Sequence, residues 1–137
     1  ADSTELVTNG DFAAGATGWE GGTAIEANIT AYFAKTETTS GNVYDVNLSQ
    51  KMTLVAETEY TVSFKAKSSI VRTMVAGLGL YEDPWTNVAV SVDLTTEWQT
   101  FTLTQTTTGF GNDNSRVLFD MGGDQGGQVW IDDVSVK

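Results

Sequence analysis

Hydrophobic and polar residues alternate along many short stretches of this chain, and the stretch YTVSFKAKS shows the pattern most clearly. Its alternate positions form an apolar set, Tyr60, Val62, Phe64 and Ala66, and a polar set, Thr61, Ser63, Lys65 and Lys67. Successive side chains of a β-strand point to opposite faces, so a period of two predicts a strand with one buried and one solvated side.

Similar stretches recur between polar turns, and no window of about 11 residues keeps the period of a helix. The predicted strands are Glu5–Val7, Ala27–Phe33, Tyr44–Leu54, Glu59–Ser68, Thr73–Tyr81, Ala89–Leu94, Gln99–Thr107, Arg116–Met121 and Gln128–Val136. Many short strands without a long helix favour two packed sheets. We therefore predict an all-β fold, a jelly-roll β-sandwich of two antiparallel sheets, with residues 1–137 forming a single domain.

The stretch RVLFDMG separates its faces differently. One face carries Val117, Phe119 and Met121, and the other carries Arg116, Leu118 and Asp120. A face with a charge on either side of a leucine is not a core face, because charged side chains are rarely buried. We expect this second face to meet solvent or to line a groove.

Composition narrows the possible functions. The chain has 18 Asp and Glu residues against 7 Lys and Arg, a formal net charge of −11, so nucleic acid and anionic membranes would be repelled. It has neither Cys nor His, which excludes thiol nucleophiles, structural zinc and imidazole bases. No apolar run reaches the ~20 residues of a membrane span. A neutral ligand is the favoured partner.

Three stretches occur in one order along the chain: ELVTNGDFAAGATGW, DVNLSQKMTLVAETEYTVSFKAKS and VWIDDVSV, with TEWQTFTLT between the last two. Together they resemble carbohydrate-binding modules of the family 4/9 type. The resemblance implies a non-catalytic jelly roll that holds one glycan chain in a cleft on its concave sheet. It also implies a monomeric module of a larger secreted bacterial enzyme that degrades polysaccharides, and the beginning ADSTELV looks like a mature end left after signal removal.

The stretch YEDPWTNV places Trp85 directly after the only proline of the chain. Pro84 fixes its own φ and restricts Asp83, which stiffens the loop before any ligand arrives. In the family an aromatic side chain of this loop stacks on a sugar ring, and the resemblance implies this role for Trp85. The alternative is that Trp85 covers the edge of the sandwich as a hydrophobic plug.

The further ligand-binding residues expected beside Trp85 are Tyr81, Tyr44, Asn47, Gln50, Arg116 and Asp120. The resemblance implies the first four, and the polar face of their strand indicates Arg116 and Asp120. Whether Asn47 or Gln50 faces the cleft depends on a bulge near Ser49, which the sequence leaves open. Arg116 and Asp120 depart from the family pattern, which usually offers amides at these positions. Three other tryptophans, Trp19, Trp98 and Trp130, are expected to pack in the structure.

Family members often bind a structural Ca²⁺ away from the cleft. The resemblance implies Asp132 as one ligand, but Ala13 stands where a second carboxylate is expected. Calcium requires several oxygens at once, so this loss weakens the expectation, and Asp11 is the remaining candidate for an oxygen ligand.

The favoured ligand is a β-glucan, either β-1,3-linked as in laminarin or of mixed linkage, with amorphous cellulose or xylan as alternatives. A small glycosidase is a second hypothesis, with Asp120 paired to Asp83 or Glu82. Arg116 is expected to lower the pKa of Asp120 and so make it a poor acid. A cell-surface sandwich without a sugar ligand is the third hypothesis.

Overall fold

The structure is a computed structural model that describes residues 5–10, 18–19, 33–35, 47–82, 85–121 and 129–137. Its strands are β1 (Phe33–Lys35), β2 (Asn47–Met52), β3 (Glu59–Ser68), β4 (Arg72–Leu80), β5 (Val90–Leu94), β6 (Gln99–Thr106), β7 (Ser115–Asp120) and β8 (Val129–Val136). None of the described residues belongs to a helix that could span a membrane.

The strands form two antiparallel sheets of four strands each. The first sheet has the order β1-β8-β3-β6, and the second sheet has the order β2-β7-β4-β5. In each sheet a strand from late in the chain, β8 or β7, lies between two earlier strands. The predicted all-β jelly-roll sandwich of two antiparallel sheets is confirmed.

Aromatic side chains join the two sheets at the centre of the core. The ring centre of Phe64 in the first sheet lies 5.1 Å from that of Phe119 in the second, and these two rings meet edge to face. Phe64 also stacks on Phe101, with 5.2 Å between the ring centres. Such pairs contribute roughly 0.5–1.5 kcal/mol beyond their buried area. Trp19 is 6% exposed and contacts Phe119, so its predicted packing role is confirmed.

The alternation in the sequence predicts most strands to within one residue at each described end. Three predictions differ by more. The strand β1 ends at Lys35, two residues after the predicted end at Phe33, and β2 ends at Met52, two residues before the predicted end at Leu54. The predicted strand Glu5–Val7 is not a strand. Leu6 N donates to Val136 O at 2.8 Å, but the Glu5 carboxylate accepts from Val136 N at 2.8 Å and from Val7 N at 3.2 Å. A side chain thus takes the place of a backbone partner, and the segment runs beside β8 without forming a ladder. Predicted residues 27–32 and 44–46 lie outside the described residues.

One buried amide ties the two sheets at the edge formed by β5 and β6. Gln105 of β6 is 5% exposed, and its Oε1 accepts a hydrogen bond from Leu78 N of β4 at 2.9 Å. Gly77 makes room for it, because a Cβ there would lie 2.5 Å from Gln105 Oε1 and 2.7 Å from Ala89 Cα. The backbone of β4 can approach both neighbours only because position 77 lacks a side chain.

Candidate functional site

A cavity of about 610 Å³ lies on the outer face of the second sheet. It is lined by Asn47, Tyr81, Trp85, Asn87, Arg116, Leu118 and Asp120. The polar row that the sequence separates from the core, Arg116, Leu118 and Asp120, is therefore a groove face. We refer to these three residues with Asn47 as the cavity floor.

The polar groups of the floor form one hydrogen-bonded chain across β2 and β7. Arg116 Nη1 donates to Ser49 Oγ at 3.0 Å, and Ser49 Oγ donates to Asn47 Oδ1 at 2.6 Å. Asn47 Nδ2 then donates to Asp120 Oδ1 at 2.5 Å. These bonds fix the orientation of the amide, the guanidinium and the carboxylate before any ligand binds. The side chains therefore lose less conformational entropy on binding.

The structure decides between Asn47 and Gln50. β2 pairs with β7 in unbroken register from Asn47 opposite Asp120 to Met52 opposite Ser115, so no bulge occurs near Ser49. Gln50 therefore faces the sandwich interior and is 4% exposed. Its amide accepts from Thr8 N and donates to Thr8 O, each at 2.8 Å. The prediction that placed Gln50 in the cleft is corrected: it anchors the N-terminal segment, and Asn47 faces the cavity.

The ionisation of the floor differs from expectation. Asp120 is 8% exposed, and burial raises its pKa, although the hydrogen bond from Asn47 and the charge of Arg116 act in the opposite direction. Arg116 lowers this pKa as expected, but desolvation outweighs the attraction, so the pKa of Asp120 is raised and not lowered. Burial also lowers the pKa of Arg116, against the attraction of Asp120 and Tyr81.

An aromatic pair forms one wall of the cavity. The rings of Tyr81 and Trp85 lie 6.3 Å apart at 52°, and Trp85 is 50% exposed. The Arg116 guanidinium carbon lies 5.3 Å from the Tyr81 ring centre and 5.5 Å from that of Trp85. A half-exposed indole at a cavity rim is not a hydrophobic plug, so the geometry favours the sugar-stacking role of Trp85 over the role of a plug at the sandwich edge.

A tight turn presents Trp85 to the cavity. Trp85 has a φ of 60°, which is unusual for a bulky residue, and its N donates to Glu82 O at 2.7 Å. Leu80 N donates to Thr86 O at 2.8 Å, which closes the base of the loop. Asn87 Nδ2 donates to Trp85 O at 3.2 Å. Sequence reasoning missed Asn87 as a lining residue, although its position two residues after Trp85 on the same loop could have indicated it.

The same loop is attached to the turn that precedes β7. The Glu82 carboxylate accepts from Asn114 Nδ2 at 2.7 Å and from Asn112 Nδ2 at 3.3 Å. Tyr81 N donates to Asn114 O at 2.8 Å. We call these contacts the Glu82 clasp; they join the element that carries the aromatic wall to the strand that carries the floor.

Of the three remaining predicted site residues, Tyr44 and Asp11 are outside the described residues. Asp132 lies on β8 in the first sheet, where its Oδ1 accepts from Asp133 N at 2.8 Å. Within the described part of the chain, no three acidic side chains come together as a metal site.

The family model of a carbohydrate binding domain, the 4/9 type, matches residues 4–126. The chain is a family 4/9 carbohydrate-binding module. Such a module is a non-catalytic binding domain, so the cavity is a candidate sugar site and the glycosidase hypothesis is set aside.

Solved structures agree with this assignment. A family 4 carbohydrate-binding module is 31% identical to this one, with a TM-score of 0.72 over 78% of this chain and 70% of that chain. The N-terminal cellulose-binding domain of Cellulomonas fimi β-1,4-glucanase C is 21% identical, with a TM-score of 0.75 over 98% and 97% of the two chains. A Clostridium thermocellum xylanase 10B structure with CBM22-1 and GH10 modules, complexed with xylohexaose, is 15% identical. It matches over 99% of this chain and 29% of its own length, with a TM-score of 0.68. No curated protein matches the module in sequence.

Proposed function

We propose that the module binds a single soluble β-glucan chain in the cavity of the second sheet, with β-1,3-linked or mixed-linkage glucan favoured. The observation that supports this proposal is the half-exposed Trp85, presented beside Tyr81 above a floor of fixed hydrogen-bonding groups. An indole face stacks on the C–H face of a pyranose ring and buries apolar area, while the sugar hydroxyls remain free to bond elsewhere.

The floor supplies those other bonds. Asn47 and Arg116 offer N–H donors, and Asp120 offers carboxylate oxygens, so vicinal hydroxyls can both donate and accept. One positive and one negative side chain leave the floor without a strong net charge, which suits a neutral sugar. The volume of about 610 Å³ is in the usual range of small-ligand sites.

The shape of the wall supports a single chain over a crystal surface. Its two rings are tilted by 52° and do not form a flat platform. A tilted pair beside a deep floor suits a chain that curves, as β-1,3 and mixed linkages do. Xylan is the alternative ligand, and the match to a fold whose relative is complexed with xylohexaose makes it the first competitor to test.

We also propose that the module belongs to a larger secreted bacterial glycoside hydrolase, which it directs to the polysaccharide, and that a structural Ca²⁺ stabilises it. For calcium, the support is the carboxylate of Asp132 on β8, the one expected ligand that lies within the described residues. The test of the wider proposal is to determine whether the native polypeptide accumulates outside the cells as part of a glucanase.

Calorimetry with oligosaccharides of laminarin, barley glucan, cellulose and xylan tests the ligand. We expect micromolar to millimolar dissociation constants, which correspond to binding free energies of about 4 to 8 kcal/mol. The oligosaccharides of laminarin and barley glucan should bind most strongly. Stronger binding of xylo-oligosaccharides would make xylan the ligand in place of β-glucan. If none of the four gave heat, the proposed glycan-binding function would be contradicted.

Trp85→Ala tests the site. We expect the variant to lose on the order of 1 to 3 kcal/mol of binding, as an aromatic hot spot does, with little change in melting temperature. Trp85→Phe keeps a ring and should retain part of the affinity. Trp19→Ala is the matched structural control, and it should lose several kcal/mol of stability because it empties a buried position. Normal binding of laminari-oligosaccharides by folded Trp85→Ala would show that the cavity is not the site.

A further inference from the structure

Two tryptophans lie on the outer face of the first sheet, on the side of the sandwich opposite the cavity. Trp98 is 41% exposed, so the expectation that it packs in the structure is wrong. Trp130 is half-buried, and it alternates along β8 with the buried residues Val129 and Ile131, which places it on the outer face. The exposed indole of Trp98 is neither part of the core nor part of the lining of the second-sheet cavity.

The two indoles are aligned across the strands with a lysine between them. Trp130 pairs with Lys67 of β3, and Trp98 directly precedes Gln99, which pairs with Ala66 on the other side of β3. Lys67 Nζ lies 4.8 Å from the Trp130 ring centre and 5.3 Å from the Trp98 ring centre. Two strand spacings, about 9.5 Å, separate the backbone at Trp130 from that at Trp98, and the contacts of Lys67 Nζ with both rings place one indole on either side of this ammonium.

A shallow cavity of about 400 Å³ adjoins this row. It is lined by Lys65, Trp98, Gln99, Thr100 and Asp132, so hydroxyl, amide, ammonium and carboxylate groups surround the indole. The charge of Lys65 is balanced by Asp133, whose Oδ2 lies 3.2 Å from Lys65 Nζ. The surface therefore combines exposed aromatic area with mixed donors and acceptors, which is the chemistry of a neutral sugar site.

We propose that the row Trp130–Lys67–Trp98 and its adjoining cavity form a second glycan-binding surface, whose ligand is an extended β-1,4-linked chain. Alternate pyranose rings of such a chain are spaced close to the separation of the two indoles, so each indole can contact one of them. The Lys67 ammonium between the indoles donates to hydroxyls of the intervening ring. A curved β-1,3-linked chain does not keep this spacing, which distinguishes the occupant from that of the first cavity.

The proposal does not depend on which glycan fills the cavity of the second sheet. Because the two surfaces face away from each other on opposite sheets, one module can contact two chains at once. Each site can be removed alone, so the failure of one assignment does not hide the success of the other.

The experiment titrates ¹⁵N-labelled protein with cellohexaose and follows the four indole N–H resonances, assigned with single Trp→Phe variants. It uses the wild type, Trp85→Ala, Trp98→Ala, Trp98→Phe and the double variant Trp85→Ala/Trp98→Ala. In Trp85→Ala, the Trp98 and Trp130 resonances should still shift and saturate, and the buried Trp19 should not. Adding Trp98→Ala should weaken this residual affinity on the order of tenfold, as removal of an aromatic hot spot does.

Trp98→Phe should retain part of the affinity, which shows that the ring, and not a general change in the fold, carries the effect. Laminarihexaose should leave the two resonances unshifted in Trp85→Ala. Trp98 and Trp130 resonances that do not move with cellohexaose would overturn the proposal. So would an affinity in the Trp85→Ala background that is unchanged by the further Trp98→Ala substitution.

Discussion

At the residue scale, the surroundings of Asp120 shift the ionisation of its carboxyl group. It lies at the floor of the cavity, where burial raises its pKa above the ordinary 3.8, and Asn47 and Arg116 only partly oppose that effect. The same carboxylate is a candidate acceptor for sugar hydroxyls. Folding therefore favours the protonated form of Asp120, whereas ligand binding uses the ionised form.

This opposition gives a pH prediction for stability. A carboxyl group whose folded pKa is raised stabilises the protein most at low pH, and this contribution is lost as pH rises from 3.8 through the folded pKa. Asp120→Asn has no such dependence. Denaturation at a series of pH values should show the variant gaining stability relative to the wild type as pH rises through that window. A constant difference across the window would contradict the raised pKa.

Ligand affinity should change in the opposite sense. As pH falls through the folded pKa of Asp120, the carboxylate loses its charge, and glucan affinity of the wild type should fall. Asp120→Asn should bind more weakly at neutral pH but with a flat pH profile in this range. Calorimetry at matched ionic strength checks this, and an equally steep profile in both proteins would assign the titration to another group.

At the element scale, the Glu82 clasp sets how firmly the aromatic wall is held over the floor. Glu82 is exposed, and its two bonds join the loop of Trp85 to the turn before β7. Substitutions at exposed positions usually change stability by less than about 0.5 kcal/mol. The clasp is therefore expected to matter for the position of the loop more than for the fold.

We expect Glu82→Ala to lose a few-fold of glucan affinity because Trp85 is then held less rigidly before binding. The melting temperature should change little. Glu82→Gln, which keeps one acceptor oxygen, should be closer to the wild type than Glu82→Ala. Calorimetry and thermal unfolding of the three proteins check the ordering, and equal affinities would show that the clasp does not position the wall.

The tie between the sheets at Gln105 gives a prediction about stability. Gly77→Ala would place a Cβ 2.5 Å from Gln105 Oε1 and 2.7 Å from Ala89 Cα, so a side chain on β6 and the backbone just before β5 must move. Gly109→Ala is the matched control, since Gly109 also has a positive φ, of 80°, but a Cβ there meets no atom within 4 Å. We expect about 1 kcal/mol of destabilisation for Gly109→Ala and clearly more for Gly77→Ala. Equal losses in chemical denaturation would mean that the crowding around Gly77 relaxes freely.

At the scale of the whole molecule, local periodicity predicted the strands and the groove row, because a period of two is a property of each stretch alone. The face that Gln50 occupies was not predictable, because it depends on the register between β2 and β7. Glu5–Val7 failed as a strand because a side chain from the same segment takes the backbone donors of β8. The exposure of Trp98 and the net pKa shift of Asp120 depend on which residues the fold brings around them, and no local pattern contains that information.

The proposed calcium also belongs to this scale. If Ca²⁺ binds near Asp132, it acts on the first sheet, whereas the cavity lies on the second. Chelation with EDTA should therefore lower the melting temperature and leave laminari-oligosaccharide affinity at the cavity of the second sheet nearly unchanged at temperatures where the protein stays folded. A melting curve unaffected by EDTA in protein prepared with calcium would remove the metal from the description. Laminari-oligosaccharide affinity that collapses in the folded protein would move the metal to the cavity of the second sheet.

The position of β7 between β2 and β4 has a consequence for the time course of folding. The floor bond between Asn47 and Asp120 joins residues 73 positions apart, and the second sheet is complete only when the strand that carries Asp120 is paired with both β2 and β4. Non-local pairing of this kind is slow, because the entropy of loop closure is lost before any contact compensates it, and all-β sandwiches refold in roughly milliseconds to seconds. Collapse of the apolar strands should come first. In stopped-flow refolding, sugar binding should therefore reappear only in the slowest phase, when β7 enters the middle of the second sheet.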